Sequence, residues 1–293
     1  MLNKFFLFAK CLYGYILKFL IDVGIYNIPT LGQHKEVCAV VSLTSYGRRV
    51  KTNVVYYTLV SILRQTVHPS HIILWLSKEE WSDDTIPPKL YALKKKGVEI
   101  RYCKDIRSYK KLVPTKELYP KDVIVTMDDD LIYSDDVLET LYNSHLSHPE
   151  SIICLNANIP VIKNGVPVSY ETWEKCKFSQ EGKTLFPIGV GGVLYPSNSL
   201  NKDAFNESLF EKLCPFADDV WFWFNGLRNS TNKLFVVKKK SNYAFDDIYQ
   251  YFHKGSALTH SNRFEHQNND QINNIFNYFN VRLNEAGDLV NKG

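Results

Sequence analysis

Three adjacent carboxylates, Asp128, Asp129 and Asp130, follow directly on the apolar run Asp122-Val-Ile-Val-Thr-Met127. Carboxylates this close repel one another and are stable together mainly when a cation sits among them. Their hard oxygens suit Mg²⁺ or Mn²⁺, ions that keep waters and bridge a substrate's phosphates. Alternate residues of an extended segment face the same way, so Asp128 and Asp130 can share one ion. The plainer reading of clustered acids is a solvated turn, which we assign to Asp83-Asp84, Asp135-Asp136 and Asp246-Asp247. The apolar strand in front of residues 128–130 argues against it there.

Asp218 and Asp219 stand at a predicted helix start, before Val220-Trp-Phe-Trp-Phe224. Aromatic surroundings raise a carboxyl pKa, which suits a general base, while the helix dipole opposes the shift. Asp218 can also serve as the N-cap. Thr44, Ser45 and Tyr46 follow the first predicted strand and offer hydroxyl and aromatic contacts. Lys110 and Lys111 can neutralise phosphate or contact a base. The glycines between Gly189 and Gly192 allow backbone to approach a ligand, or simply make a tight turn. No P-loop and no dinucleotide fingerprint occurs. The pairs His68/His71 and His145/His148 lack companions with zinc-ligand spacing and read as surface residues. His260 and His266 lie near Asp270, and a histidine there can complete a metal's coordination.

The elements that position these groups alternate. Val37–Leu43, His71–Leu76, Val98–Tyr102 and Asp122–Met127 read as strands, the first two as apolar runs buried on both faces. Helical spacing falls at 53–65, 87–96, 110–118 and, capped by Ser134, on to about 146. The second half is less regular, with strands at 152–155 and 234–237, a Gly-rich loop entering a strand at 189–196, and helices from 216 and over 270–279. Alternating strands and helices predict an α/β fold with a parallel sheet. Ligands of such sheets bind beyond the carboxyl ends of the strands, where both the loop after Leu43 and the triplet lie.

The chain has 293 residues, 45% hydrophobic and 23% charged, which excludes a mainly disordered protein. Its net charge of +4 is not the field of a dedicated nucleic-acid binder. Six scattered cysteines without C-x-x-C read as free thiols of a reducing compartment.

Residues 1–28 form a distinct segment, and 29–293 read as a single domain. Lys4, Lys10, Lys18 and Asp22 break the apolar run, so it is neither a membrane span nor a signal peptide. On a helix these four fall within an arc of about 120°, with Phe5, Phe8, Leu12, Ile16, Phe19, Leu20 and Val23 on the rest. Two readings stand: a helix in a membrane interface with its lysines near anionic head groups, or a helix packed on the domain or a partner.

Taken in order, Ser42-Leu-Thr-Ser-Tyr-Gly47, Ser61-Ile-Leu-Arg-Gln65, Ile72-Ile-Leu-Trp-Leu-Ser77, Tyr109-Lys-Lys111, Ile124-Val-Thr-Met-Asp-Asp-Asp130, Gly191-Gly-Val-Leu-Tyr-Pro196 and Ala217-Asp-Asp-Val-Trp221 carry a resemblance. Over about residues 37–280 the chain resembles the metal-dependent GT-A glycosyltransferases of bacterial capsule and lipopolysaccharide gene clusters. The triplet alone is a weak signal; followed by the Gly-Gly and Ala-Asp-Asp elements it is more specific. Met127 departs from the smaller or β-branched residue usual there. The resemblance implies a GT-A fold, a nucleotide-sugar donor (a UDP-sugar first) and Mn²⁺ or Mg²⁺. It carries the DxD aspartates onto Asp128 and Asp130, and a sugar or ribose contact onto Asp129. Nucleotide contacts fall on Thr44, Ser45, Tyr46 and on Lys110 or Lys111, the Gly-Gly element on Gly191 and Gly192, and the acceptor-side acid on Asp219 or else Asp218. His260 is the candidate C-terminal metal ligand. It further implies inverting transfer to a lipid-linked saccharide, at the cytoplasmic face of the inner membrane. The rivals are a sugar nucleotidyltransferase and a non-catalytic carbohydrate-binding subunit. A nucleotidyltransferase needs a Gly-rich basic loop after the first strand, where this chain has one glycine, Gly47.

Overall fold

The computed structural model describes the backbone of residues 2–238, 243–245 and 267–292, and the side chains of 8–238 and 267–292. Helix α1 (Leu2–Asp22) precedes strand β1 (Lys35–Thr44), helices α2 (Gly47–Lys51) and α3 (Val54–Leu63), and β2 (Val67–Ser77). Helix α4 (Pro88–Tyr91) continues as a 3₁₀ turn, Ala92–Lys96, into β3 (Val98–Cys103). A second 3₁₀ turn, Arg107–Lys111, and α5 (Val113–Leu118) lead to β4 (Val123–Thr126). After the triplet come β5 (Leu131–Tyr133), α6 (Val137–Ser147) and β6 (Ile152–Cys154). Short strands follow: β7 (Ala157–Ile159), β8 (Ile162–Lys163), β9 (Val166–Pro167), β10 (Glu174–Lys175), β11 (Gln180–Gly182) and β12 (Phe186–Pro187). The chain then forms β13 (Val193–Tyr195), α7 (Glu207–Leu213), α8 (Asp218–Arg228), β14 (Lys233–Phe235) and β15 (Tyr243–Phe245). Helix α9 (Gln267–Tyr278) and the hairpin β16 (Val281–Leu283) and β17 (Leu289–Asn291) follow.

Eight strands make the central sheet in the order β11-β14-β6-β13-β4-β1-β2-β3. The pairs β1–β2, β2–β3, β1–β4 and β6–β14 are parallel. Strand β13 lies antiparallel between β4 and β6, and β11 is an antiparallel edge. This is the expected α/β architecture with a mainly parallel sheet. The chain leaves β1 toward β2 and β3, then returns to place β4 on its other side. The carboxyl ends of β1 and β4 therefore flank a topological switch point, where open α/β sheets bind ligands.

The sheet is covered on both faces because its strands are apolar on both. Val41 and Leu43 enter a core with Val55, Leu59 and Leu63 of α3 and Leu138 and Leu141 of α6, while Val40 meets Ile73 and Trp75 on the other face. A second core is aromatic and surrounds α8, whose residues 220–227 are all buried. Trp221 and Trp223 donate their indole N–H groups to Ala204 O and Thr184 O, which allows such large rings to be buried.

Several local expectations are corrected. Ser134 does not cap α6: Asp136 holds that position, without a side-chain cap bond, and Ser134 Oγ donates to Asp136 Oδ1 instead. Asp136 is not a freely solvated turn residue but pairs with Lys238. His68 is buried, not on the surface, because it begins the inner strand β2. It accepts from Gly32 N at 2.9 Å on Nδ1, has Nε2 2.8 Å from Leu63 O, and stacks on His34. In α1, Lys18 and Asp22 turn toward the protein rather than toward head groups. Lys18 lies over the Tyr57 ring, and Asp22 accepts from Tyr57 Oη and Lys89 Nζ. All six cysteines are free.

Candidate active site

In the parallel register Ser42 faces Thr126, so Ser45 and Asp129, three residues beyond each, emerge side by side at the switch point. Ser45 Oγ donates to Asp129 Oδ2 at 2.5 Å. Thr58 on α3 donates to Asp129 O, and Tyr133 accepts from Asp128 N, so the triplet's backbone is fixed from both sides. Arg49 projects from α2 into the same place. Its guanidinium donates to Asp129 Oδ1 at 2.5 Å and lies 2.9 Å from Asp130 Oδ2.

The second acidic pair arrives from the far side. Asp218 and Asp219 form the first turn of α8; the N-cap position belongs to Ala217, so Asp218 is not the cap. Lys111 lies 2.9 Å from Asp218 Oδ2 and 3.5 Å from Asp128 Oδ1, and joins the two acidic groups. Gly189 completes the contact. Its N–H donates to Asp219 Oδ2 at 3.0 Å. A methyl group on it would lie 3.2 Å from both Asp219 Oδ1 and Lys111 Nζ, and 3.4 Å from Asp128 Oδ1.

Five acids thus gather around two basic side chains, Arg49 and Lys111, and the resulting pKa shifts follow. Burial and the neighbouring Asp218 push Asp219 up to about 7, against Lys111 and the Gly189 N–H. Burial and Asp130 push Asp129 up to about 6, against Arg49 and Ser45. Burial also raises Asp128. Burial disfavours the charge of Lys111, but Asp218, Asp128 and Asp219 hold it protonated well above its ordinary range. The cluster carries more negative charge than its own cations balance. Protons relieve the excess in part, and a divalent cation would relieve it further. Asp128 and Asp130 offer the hard oxygens for one, so the donor set fits Mg²⁺ or Mn²⁺ in charge and chemistry. Among the described residues no three His, Cys, Asp or Glu side chains are arranged around one point as ligands. Arg49 and Lys111 hold the acids' oxygens in this arrangement.

Of the residues nominated from sequence, Ser45, Lys111, Asp128, Asp129, Asp130, Asp218 and Asp219 come together. Thr44 is turned aside, donating to Trp75 O across the sheet at 2.9 Å. Tyr46 is exposed beside Arg49. Lys110 is buried against Asp105, away from the acids. Gly192, at φ +101, packs toward Leu141 and Met127; Gly189, two residues before Gly191, is the glycine that touches the acids. His260 and His266 lie outside the described residues. Arg49 was not nominated, and Gly189 was named only as one end of the Gly-rich stretch, not as a site residue. A basic residue in the loop after β1, facing an acidic triplet, was the available signal for Arg49. Beside the cluster, a cavity of about 130 Å³ lined by Asp105, Arg107, Tyr109 and Phe210 includes none of its acids. Charge rather than enclosed volume marks this site.

No family model and no curated protein matches the chain. Among solved structures it is similar to CMP:2-keto-3-deoxy-manno-octonic acid synthetase complexed with CTP, at 10% identity and a TM-score of 0.44, over 75% of this chain and 96% of that one. It is similar also to S. aureus TarS residues 1–349, at 12% identity and a TM-score of 0.45, over 83% of this chain and 72% of that one. These values are too low to carry residue roles from either protein.

Proposed function

We propose that this chain is a metal-dependent glycosyltransferase that moves a sugar from a nucleotide-sugar donor, a UDP-sugar first, to a saccharide acceptor of bacterial surface polysaccharide. One observation carries the reading: Asp128 from the end of β4 and Asp218 and Asp219 from the start of α8 converge on Lys111 and Gly189 at the switch point of the sheet. Asp128 and Asp130 would hold Mn²⁺ or Mg²⁺, which supplies neutralising charge to a departing diphosphate. Ser45 and Arg49 orient Asp129, and Arg49 has the planar donors that suit phosphate oxygens. Asp219, raised to about 7, takes the proton of an acceptor hydroxyl near neutral pH. The acceptor oxygen bonds to the anomeric carbon as the bond from that carbon to the diphosphate oxygen breaks. Displacement of this kind inverts the anomeric configuration.

A nucleotidyltransferase is the second reading, favoured by Arg49, a basic residue that reaches the acids from α2, just after β1. One screen separates the two. The protein is incubated with Mn²⁺ and UDP-, GDP-, dTDP- or CMP-sugars, and separately with nucleoside triphosphates and sugar phosphates. Release of nucleoside diphosphate, or of CMP from a CMP-sugar, that is lost in Asp130→Ala and in Asp219→Asn supports transfer. Pyrophosphate release from a triphosphate replaces it with the second reading. Binding of sugars without turnover in either arm leaves a non-catalytic subunit.

A further inference from the structure

A helix on a protein surface ordinarily turns its apolar side inward and its charges to water. Helix α1 is apolar on its outward side as well as its inward one, where Leu17 packs on the core. Cys11, Gly14 and Ile21 are buried, and on the same side Lys18 lies 4.7 Å from the centre of the Tyr57 ring. Asp22, at the edge of that side, is paired with Lys89. The outward side presents Phe8, Leu12, Tyr13, Tyr15, Ile16, Phe19 and Val23. Phe19 is 63% exposed and Leu12 51%, and the outward arc from Phe8 to Val23 contains no basic side chain. No helix among the described residues is long and apolar enough to cross a membrane.

We propose that this face lies on an anionic lipid surface. The stretch Pro88–Gly97 carries four lysines and no acid, and it adjoins the C-terminal end of α1. Lys89 holds Asp22, Lys96 Nζ donates to Ile28 O, and Leu31 N donates to Lys96 O. Lys95 is exposed, and so is Tyr91 of the same stretch. Lys94 is paired with Asp83, which leaves Lys95, exposed, and Lys96, on a backbone carbonyl, as the lysines beside the apolar helix that complement acidic head groups over an acyl layer. The rings of Tyr13, Tyr15 and Tyr91 suit the boundary, with an apolar body and a polar tip. A second copy fits less well, since the outward face of a partner helix offers no acid to meet Lys95 and Lys96. The helix also lies close to the acids. Helix α1 packs along β15, which pairs with β5, and β5 begins directly after Asp130. Where the transferase reading holds, the bound lipid surface would lie beside the cluster and favour a membrane-borne acceptor; the lipid contact itself does not depend on that reading.

The test is co-sedimentation of the full chain with phosphatidylcholine vesicles, with and without phosphatidylglycerol. Binding is expected to the anionic vesicles and to weaken with salt. Leu12→Glu with Phe19→Glu should lower partition at least about tenfold. Lys95→Glu should lower it roughly fivefold on anionic vesicles and leave neutral ones unchanged. Both variants should melt with the parent, because the altered side chains face solvent. No binding by the parent, or equal binding by both variants, overturns the proposal. A parent dimer that the double variant dissociates, with vesicle binding unaltered, overturns it in favour of a second copy. Diphosphate release measured on the same samples reports the transferase reading separately.

Discussion

Adding one methyl group at Gly189 should separate activity from stability. Gly189 is not among the positive-φ glycines, so alanine is compatible with its backbone. Such a change ordinarily stabilises by about 0.4–1 kcal/mol, through the unfolded chain. The new carbon would sit 3.2 Å from Asp219 Oδ1 and Lys111 Nζ and 3.4 Å from Asp128 Oδ1. These groups must give by a few tenths of an ångström, and the methyl wedges apart the acids that Lys111 joins. Misplacing a reacting group by about 1 Å costs ~10²-fold in rate. A ten- to hundred-fold loss of kcat/KM is expected, with a melting temperature within about 2 °C of the parent. Gly192→Ala is the contrast. Its φ of +101 and the 3.2 Å approach to Leu141 Cδ1 predict a loss of stability instead. Strain there costs about 1–3 kcal/mol, or a melting point lower by roughly 2–6 °C at this chain length. Donor hydrolysis and scanning calorimetry on the two variants decide the matter. Full turnover in Gly189→Ala would refute the placement of chemistry at this contact.

Donor hydrolysis should rise with pH through about 7, because burial raises Asp219 and its basic form accumulates above that value; a profile already flat by pH 5 removes Asp219 as base. Stability should move the other way. Asp129 and Asp219 keep protons in the folded state that the unfolded chain has lost, so the metal-free protein should melt lower at pH 8 than at pH 6. Mn²⁺ should narrow that difference, and EDTA should restore it. Arg49→Ala leaves Asp129 and Asp130 without their shared cation. It should cost about 2–4 kcal/mol of stability at pH 8 by calorimetry, less at pH 6, and Arg49→Lys should recover part.

The sheet was legible because its inner strands are continuous apolar runs, Val37–Leu43 and Ile72–Leu76, and the triplet's place followed from the strand before it. What stayed hidden depends on contacts far apart in the chain. Arg49 meets acids 80 residues away, and nothing in Gly-Arg-Arg shows which arginine turns inward. Spacing does not show which of three nearby glycines meets the acids; Gly189 does so because β13 enters antiparallel beside β4. Residues 157–187 form strands of two or three residues, too short and too polar for periodicity to register. His68 read as a surface residue for want of companions with zinc-ligand spacing, but β2 lies in the interior of the sheet, where a histidine with both nitrogens engaged can be buried. The helical arc of α1 was legible; the direction in which it points was not.

The antiparallel insertion of β13 also governs how the chain can be made. Strands β4 and β6 are synthesised before it, yet neither touches the other without it, since β13 lies between them. Until residue 195 has left the ribosome, the nascent protein can hold only β3-β2-β1-β4, with Val123–Thr126 as an open edge. Such an edge is a ready template for pairing with another chain. The same step brings Gly189 to the acids. Fragments ending before β13 should therefore aggregate or hold a chaperone, and the acidic cluster is completed only after that edge is closed, when α8 brings Asp218 and Asp219.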